Sequence, residues 1–137
     1  MYIFARLRHT EYSVPRPLLL RTSIAKNIIS LALLNKLGNP KFEDNLQSMQ
    51  TRRGENFLSL GTIELFLELG AEEYRLNFLV VEKPDGVFML GIESMGKLTT
   101  VLDCKSETAK FNQGKDIKFF YTEQEVLRSC ECDAITL

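Results

Sequence analysis

Histidine occurs once, at His9, and cysteine three times, at Cys104, Cys130 and Cys132. A structural zinc site asks for about four ligands, usually with C-x-x-C spacing. Cys130 and Cys132 make only a C-x-C pair and His9 lies far from it in sequence, so no metal site and no other cofactor is expected. The odd cysteine count reads as reduced thiols in an intracellular protein, cytoplasmic or nuclear. No apolar run approaches the roughly 18 residues of a membrane-spanning helix. The opening "MYIFARLRH" lacks the cleavage pattern of a signal peptide. An excess of either charge is also missing, with 17 basic against 18 acidic side chains. Net charge therefore offers no footprint for direct nucleic-acid contact or for a membrane surface. The basic clusters at Arg6, Arg8 and His9 and at Arg52 and Arg53 are short and read as solvated faces.

What is present is an ordinary globular composition, 45% hydrophobic and 26% charged over 137 residues, enough for one domain. Apolar residues recur mostly at period two, the strand signal. "YIFARLRH" (Tyr2 to His9) alternates. Pro15 and Pro17 punctuate a turn, and "LLLRT" is the next strand. Ser30 to Leu37 reads as a short helix capped by Ser30, ended by Gly38 and kept from continuing by Pro40. "MQTRRGENF" (Met49 to Phe57) is an exposed hairpin tip with Gly54 as its turn residue. Thr62 to Leu69 and Glu73 to Val81 form a hairpin, and "KPDG" (Lys83 to Gly86) is a turn. A strand "VFMLG", a short turn or helix "IESMGK", a strand "TTVLDCK" and a hairpin at "SETAKF" follow. "IKFFYT" reads as a strand. Thr122 and Glu125 make a capping box before a short C-terminal helix, and the tail "DAITL" is placed at a sheet edge. The sum is a mostly-β domain, a small closed barrel with one firm helix.

The stretch "LLLRTSIAKNIIS" (Leu18 to Ser30) raises the functional question. A strand delivers one residue, Arg21, to a polar turn that leads on towards a helix. Leu19, Leu20, Arg21, Thr22, Ser23 and Ile24, then Asn27 to Ser30, then Leu37 and Gly38 follow the order of a known pattern. Gln50 to Phe57 fits a flap hairpin, and Gly61, Ile63 and Leu65 fit the strand after it. Met89, Leu90, Gly91, Ile92, Glu93, Ser94 and Met95 fit a second glycine motif, and Val101, Leu102 and Asp103 a closing strand. The chain thus resembles the retropepsin-like aspartic proteases of retroviruses and LTR retrotransposons, including host-domesticated copies. The resemblance covers about Tyr2 to Phe111, giving a retropepsin-like domain over 1–111. An extension over 112–137 of a strand plus a short helix, packed on the same domain, completes the division.

The resemblance implies a homodimer in which two aspartates, one per subunit, share a proton at the catalytic position. Arg21 stands where that aspartate belongs, and a guanidinium cannot act as a general base. Ser23 and Ile24 replace the family's Gly-Ala. Of the remaining aspartates, Asp44 is read in a loop, Asp85 in a turn and Asp103 at a non-catalytic family position. Asp116 and Asp133 follow no comparable strand. The expectation is a non-catalytic domain with the degenerate motif Arg21, Thr22, Ser23. It would serve as a homodimerisation or peptide- and protein-binding module within a larger polypeptide of retrotransposon origin. The alternative is an active aspartic protease using a non-standard acid. Flap and dimer-facing candidates are Arg21, Thr22, Arg52, Arg53 and Gly54; the structural second motif is Leu90, Gly91 and Glu93. Two Arg21 cations ~4 Å apart across a twofold axis would repel by roughly 4 kcal/mol at an effective dielectric of ~20. Relief requires a swing into solvent, a bound anion or carboxylate, or another interface. The plainest reading of Arg21 is a solvated strand-end residue; an anion or acidic-peptide clamp is the other.

Overall fold

A computed structural model describes residues 1–51, 54–82 and 86–136, with side chains up to residue 129. Its first two strands, β1 (Tyr2–His9) and β2 (Tyr12–Leu20), pair antiparallel along their whole length, from Tyr2 opposite Leu19 to His9 opposite Tyr12. The alternation read in the sequence is the reason: Ile3, Ala5 and Leu7 point into the core, and Phe4 points out. Pro15 and Pro17 lie inside β2 rather than in a turn. Among the described residues β2 has over that stretch a strand on one side only, since its other neighbour pairs with it at Leu19 and Leu20. An edge segment tolerates proline because one row of its amides faces outward.

Next come β3 (Asn27–Ser30), α1 (Leu31–Asn35), β4 (Glu43–Gln50), β5 (Asn56–Leu69), β6 (Glu72–Val81) and β7 (Phe88–Leu90). Six strands close a barrel in the order β5-β6-β3-β7-β2-β1, with β1 pairing back onto β5 at Leu7 opposite Leu67. Closure is possible because β5 is long: it pairs with β6 along its length while its far end also meets β1. Its inward residues Ile63, Leu65, Leu67 and Leu69 join Leu18, Leu20, Phe78, Val80 and Leu90 in one buried core. Leu33, Leu34 and Leu37 plug that core. Ser30 caps α1, its hydroxyl accepting from the Leu33 amide at 3.1 Å. α1 ends at Asn35 with Lys36 as its C-cap, short of the expected Leu37, and Gly38, at φ +82°, follows in the turn beyond it.

Asp44, read as a loop residue, lies in β4, opposite Gly61. No periodicity announces β4, because seven of its eight residues are exposed and neither face is buried. Residues 83–85, and with them Asp85 and most of the "KPDG" turn, lie outside the described residues.

The chain ends with α2 (Ile92–Lys97), β8 (Val101–Asp103), β9 (Thr108–Lys110), β10 (Ile117–Phe120) and α3 (Glu123–Thr136). β10 pairs with β1, and Phe119 is fully buried in the main core. One half of the capping box forms: the Glu125 amide donates to the Thr122 hydroxyl at 3.2 Å. α3 then continues to Thr136, so residues 133–136 of the expected edge strand are helix instead, and Leu137 lies outside the described residues. Among the described residues no helix is long and apolar enough to cross a membrane.

Candidate functional site

Parallel pairing of β2 and β7 sets Leu19 beside Met89 and Leu20 beside Leu90, so both strands end at the same level. The chain leaves β2 at Arg21, whose amide donates to the Leu90 carbonyl at 3.0 Å. The two loops then lock together. The Ile92 amide donates to the Ile24 carbonyl at 2.9 Å and the Glu93 amide to the Ala25 carbonyl at 3.1 Å. Buried Asn27 is the rivet between them. Its side-chain oxygen accepts from the Gly91 amide at 2.9 Å, and its side-chain nitrogen donates to Ser94 Oγ at 2.7 Å and to the Asn77 carbonyl at 2.9 Å. Gly91 is glycine for want of room: a Cβ there would stand 2.5 Å from the carbonyl oxygens of both Ala25 and Lys26. Leu90, Gly91 and the loop carrying Arg21 are therefore brought together. Glu93 instead faces solvent and pairs with exposed Lys26 at 2.7 Å.

Arg21 is not a solvated strand-end residue. Its side chain is only 14% exposed. Nε donates to Ser23 Oγ at 2.7 Å, and Nη1 points at Met89 Sδ at 3.8 Å. Nη2 forms an ion pair with Glu55 Oε1. Glu55 belongs to the turn between β4 and β5, the flap. That turn is closed by Thr51, whose amide donates to the Glu55 carbonyl at 2.9 Å and whose hydroxyl accepts from the Glu55 amide at 3.2 Å. At its base, Phe57 and Met49 pack with Ile24, Ile28, Val81 and Met89. The flap thus rests on the first loop both through carbon and through charge. Gly54, at φ +87°, sits at its tip; Arg52 and Arg53 lie outside the described residues.

Between flap and loop is a cleft of about 440 Å³ lined by Met1, Leu19, Leu20, Arg21, Thr22, Ser23 and Glu55. Thr22 is exposed and also borders a second, shallower groove of about 320 Å³ with Ile92, Met95, Gly96, Thr99, Thr100 and Leu102. Among the described residues no group of His, Cys, Asp and Glu could hold a metal ion, and Cys104 is a free, exposed thiol. Sequence reasoning named Arg21 but missed Glu55 and Asn27. A carboxylate one residue after the flap glycine, opposite a lone cation, was the available signal for Glu55.

No protein-family model matches the chain, and no curated protein does at the sequence level. Solved structures do. The retroviral protease-like domain of Ddi1 from Leishmania major superposes with a TM-score of 0.68 at 11% identity, over 88% of this chain and 95% of that one. EIAV protease complexed with the inhibitor HBY-793 superposes with a TM-score of 0.54 at 17% identity, over 75% of this chain and 91% of that one. The fold is retropepsin-like. Within that fold, Arg21 follows β2 in the loop that packs against the Gly91 turn after β7.

Proposed function

We propose that this retropepsin-like domain is a non-catalytic homodimerisation or protein- and peptide-binding module, of retroviral or retrotransposon descent. The observation that carries the reading is the chemistry of the first loop. Proton-sharing catalysis needs a carboxylate at Arg21's position; there the loop presents a guanidinium already engaged by Ser23 and Glu55. Glu55, the acid that lines the cleft among the described residues, is ion-paired with that guanidinium.

The same ion pair removes the objection to a dimer. Repulsion between two bare cations at the twofold axis was the obstacle; a cation neutralised by its own flap's carboxylate meets its mate as a dipole instead. Of the ways to relieve the repulsion, this is the bound carboxylate, supplied from within the chain. Thr22, next to Arg21, is exposed and so is open to contact by a second copy. Sedimentation velocity on the 137-residue chain tests the dimer. A species of twice the monomer mass at micromolar concentration is expected, and a monomer throughout that range contradicts assembly. Incubation of the same samples with unstructured peptides tests the absence of catalysis.

A further inference from the structure

We propose that the cleft beneath the flap is a carboxylate-binding site for an extended peptide, with Arg21 as its anchor and Glu55 occupying the ligand's place in the free protein. The proposal rests on the non-catalytic reading and names the ligand chemistry of that site. Arg21 is built as an anchor. Its side chain is 14% exposed, its Nε donates to Ser23 Oγ, and Leu19 and Leu20 line the same cleft. Arginine carries about five N–H donors arranged to grip a carboxylate by two oxygens at once. Here the terminal nitrogens meet one carboxylate oxygen, Glu55 Oε1, and one thioether, a weak acceptor. Among the described residues the two terminal nitrogens are thus held by a single oxygen where their geometry suits two. An incoming carboxylate that spans both Nη1 and Nη2 would replace Glu55 with a stronger grip.

Glu55 is placed to yield. Its side chain is 45% exposed at the rim, while Arg21 stays beneath it. Gly54 next to it has positive φ and open space on its Cα, with nothing within 4 Å of where a Cβ would stand. The remaining lining suits a peptide better than a free anion: Met1, Leu19 and Leu20 offer aliphatic contact, and Thr22 and Ser23 offer hydroxyls. The fit is one acidic group flanked by aliphatic residues, the acid being either a side chain or a chain terminus.

The test uses three fluorescein-labelled octapeptides of Leu, Val and Ser. The first has a central Glu and an amidated end, the second a central Gln and an amidated end, and the third a central Gln and a free C-terminal carboxylate. Binding to the full chain is measured by fluorescence anisotropy for wild type, Glu55→Gln, Arg21→Met and Arg21→Lys, with a thermal melt of each variant. If the Glu55 contact leaves the site open about one-sixth to one-third of the time, as a half-exposed ion pair would, removing it tightens binding about three- to six-fold. Glu55→Gln is therefore expected to bind an acidic peptide about three- to six-fold tighter than wild type. Arg21→Met is expected to lose binding. Arg21→Lys, which keeps the charge and loses the fork, covers the case in which Arg21→Met fails to fold, and is expected to weaken binding at least tenfold. Preference for the first peptide assigns the ligand to a side chain, and preference for the third to a terminus; either supports the site. Equal binding of all three peptides, equal binding by wild type and Glu55→Gln, or no binding by any variant overturns it. Cleavage of a peptide by wild type overturns instead the non-catalytic reading, so the two failures are distinguishable.

Discussion

Adding one methyl group to Gly91 should damage the site more than any change to its exposed charges. A Cβ there would lie 2.5 Å from two backbone oxygens, those of Ala25 and Lys26, and 2.7 Å from the Lys26 carbonyl carbon. No flexible side chain can give way, so the loops themselves must part. Overpacking of this kind costs about 1–3 kcal/mol. Parting the loops also weakens three hydrogen bonds, from the amides of Gly91, Ile92 and Glu93, each contributing about 1 kcal/mol. Gly91→Ala should therefore destabilise the domain by about 3–5 kcal/mol, read as a lower midpoint in a urea titration with unchanged slope. Gly96 is the control. It lies in α2 with nothing within 4 Å of its would-be Cβ, so Gly96→Ala should stabilise by about 0.5–1 kcal/mol. A Gly91→Ala variant as stable as wild type would refute the interlocked-loop account of how Arg21 is positioned.

Four further outcomes follow from the same geometry. Asn27→Leu strands Ser94 Oγ, the Asn77 carbonyl and the Gly91 amide, and should cost about 2–4 kcal/mol in the same titration. Glu55→Gln removes a half-exposed ion pair worth about 0.5–1 kcal/mol; amide hydrogen exchange at Thr51 and Glu55 should rise a few-fold, with exchange at Leu65 and Phe78 unchanged. Phe119→Ala opens a cavity in the main core and should cost about 3–5 kcal/mol; equal stability would detach β10 from the folding unit. Glu73 is held below the usual carboxylate range by its hydrogen bond to Arg8, and Asp103 by hydrogen bonds from Ser106 and Lys105. Both pKa values are depressed by folding, so their contribution is full above the unfolded-state carboxylate range and fades as pH falls through the depressed values. Asp103→Asn should accordingly flatten the acid limb of a stability-against-pH curve measured by denaturant midpoints.

How much of this was legible in the sequence depends on whether a pattern was local. β1 and β5 bury one face each, so period-two alternation revealed them. The Ser30 cap and the Thr122 hydroxyl's bond to the Glu125 amide are contacts within a few residues, and both form, whereas the C-cap of α1 is Lys36, two residues before Gly38. β4 was not legible because neither face is buried, and β2 was cut short because prolines in an edge segment look like a turn. At the site, Arg21 was found from the order of motifs. Its partner lies 34 residues away, in a polar turn whose composition fits any hairpin tip. Asn27 belongs to the first motif, yet its role needs Ser94, Asn77 and Gly91 beside it, an arrangement set by the crossing of two loops.

The central claim is that a guanidinium, held by Ser23 and Glu55, replaces the proton-sharing acid of this fold. Stoichiometric incubation of the full chain with an unstructured peptide mixture, from about pH 3 to about pH 7, followed by mass spectrometry, tests it most directly. Intact peptides across the whole range are predicted. Fragments whose formation is blocked by a transition-state inhibitor of aspartic proteases, and persists in Arg21→Met, would contradict it.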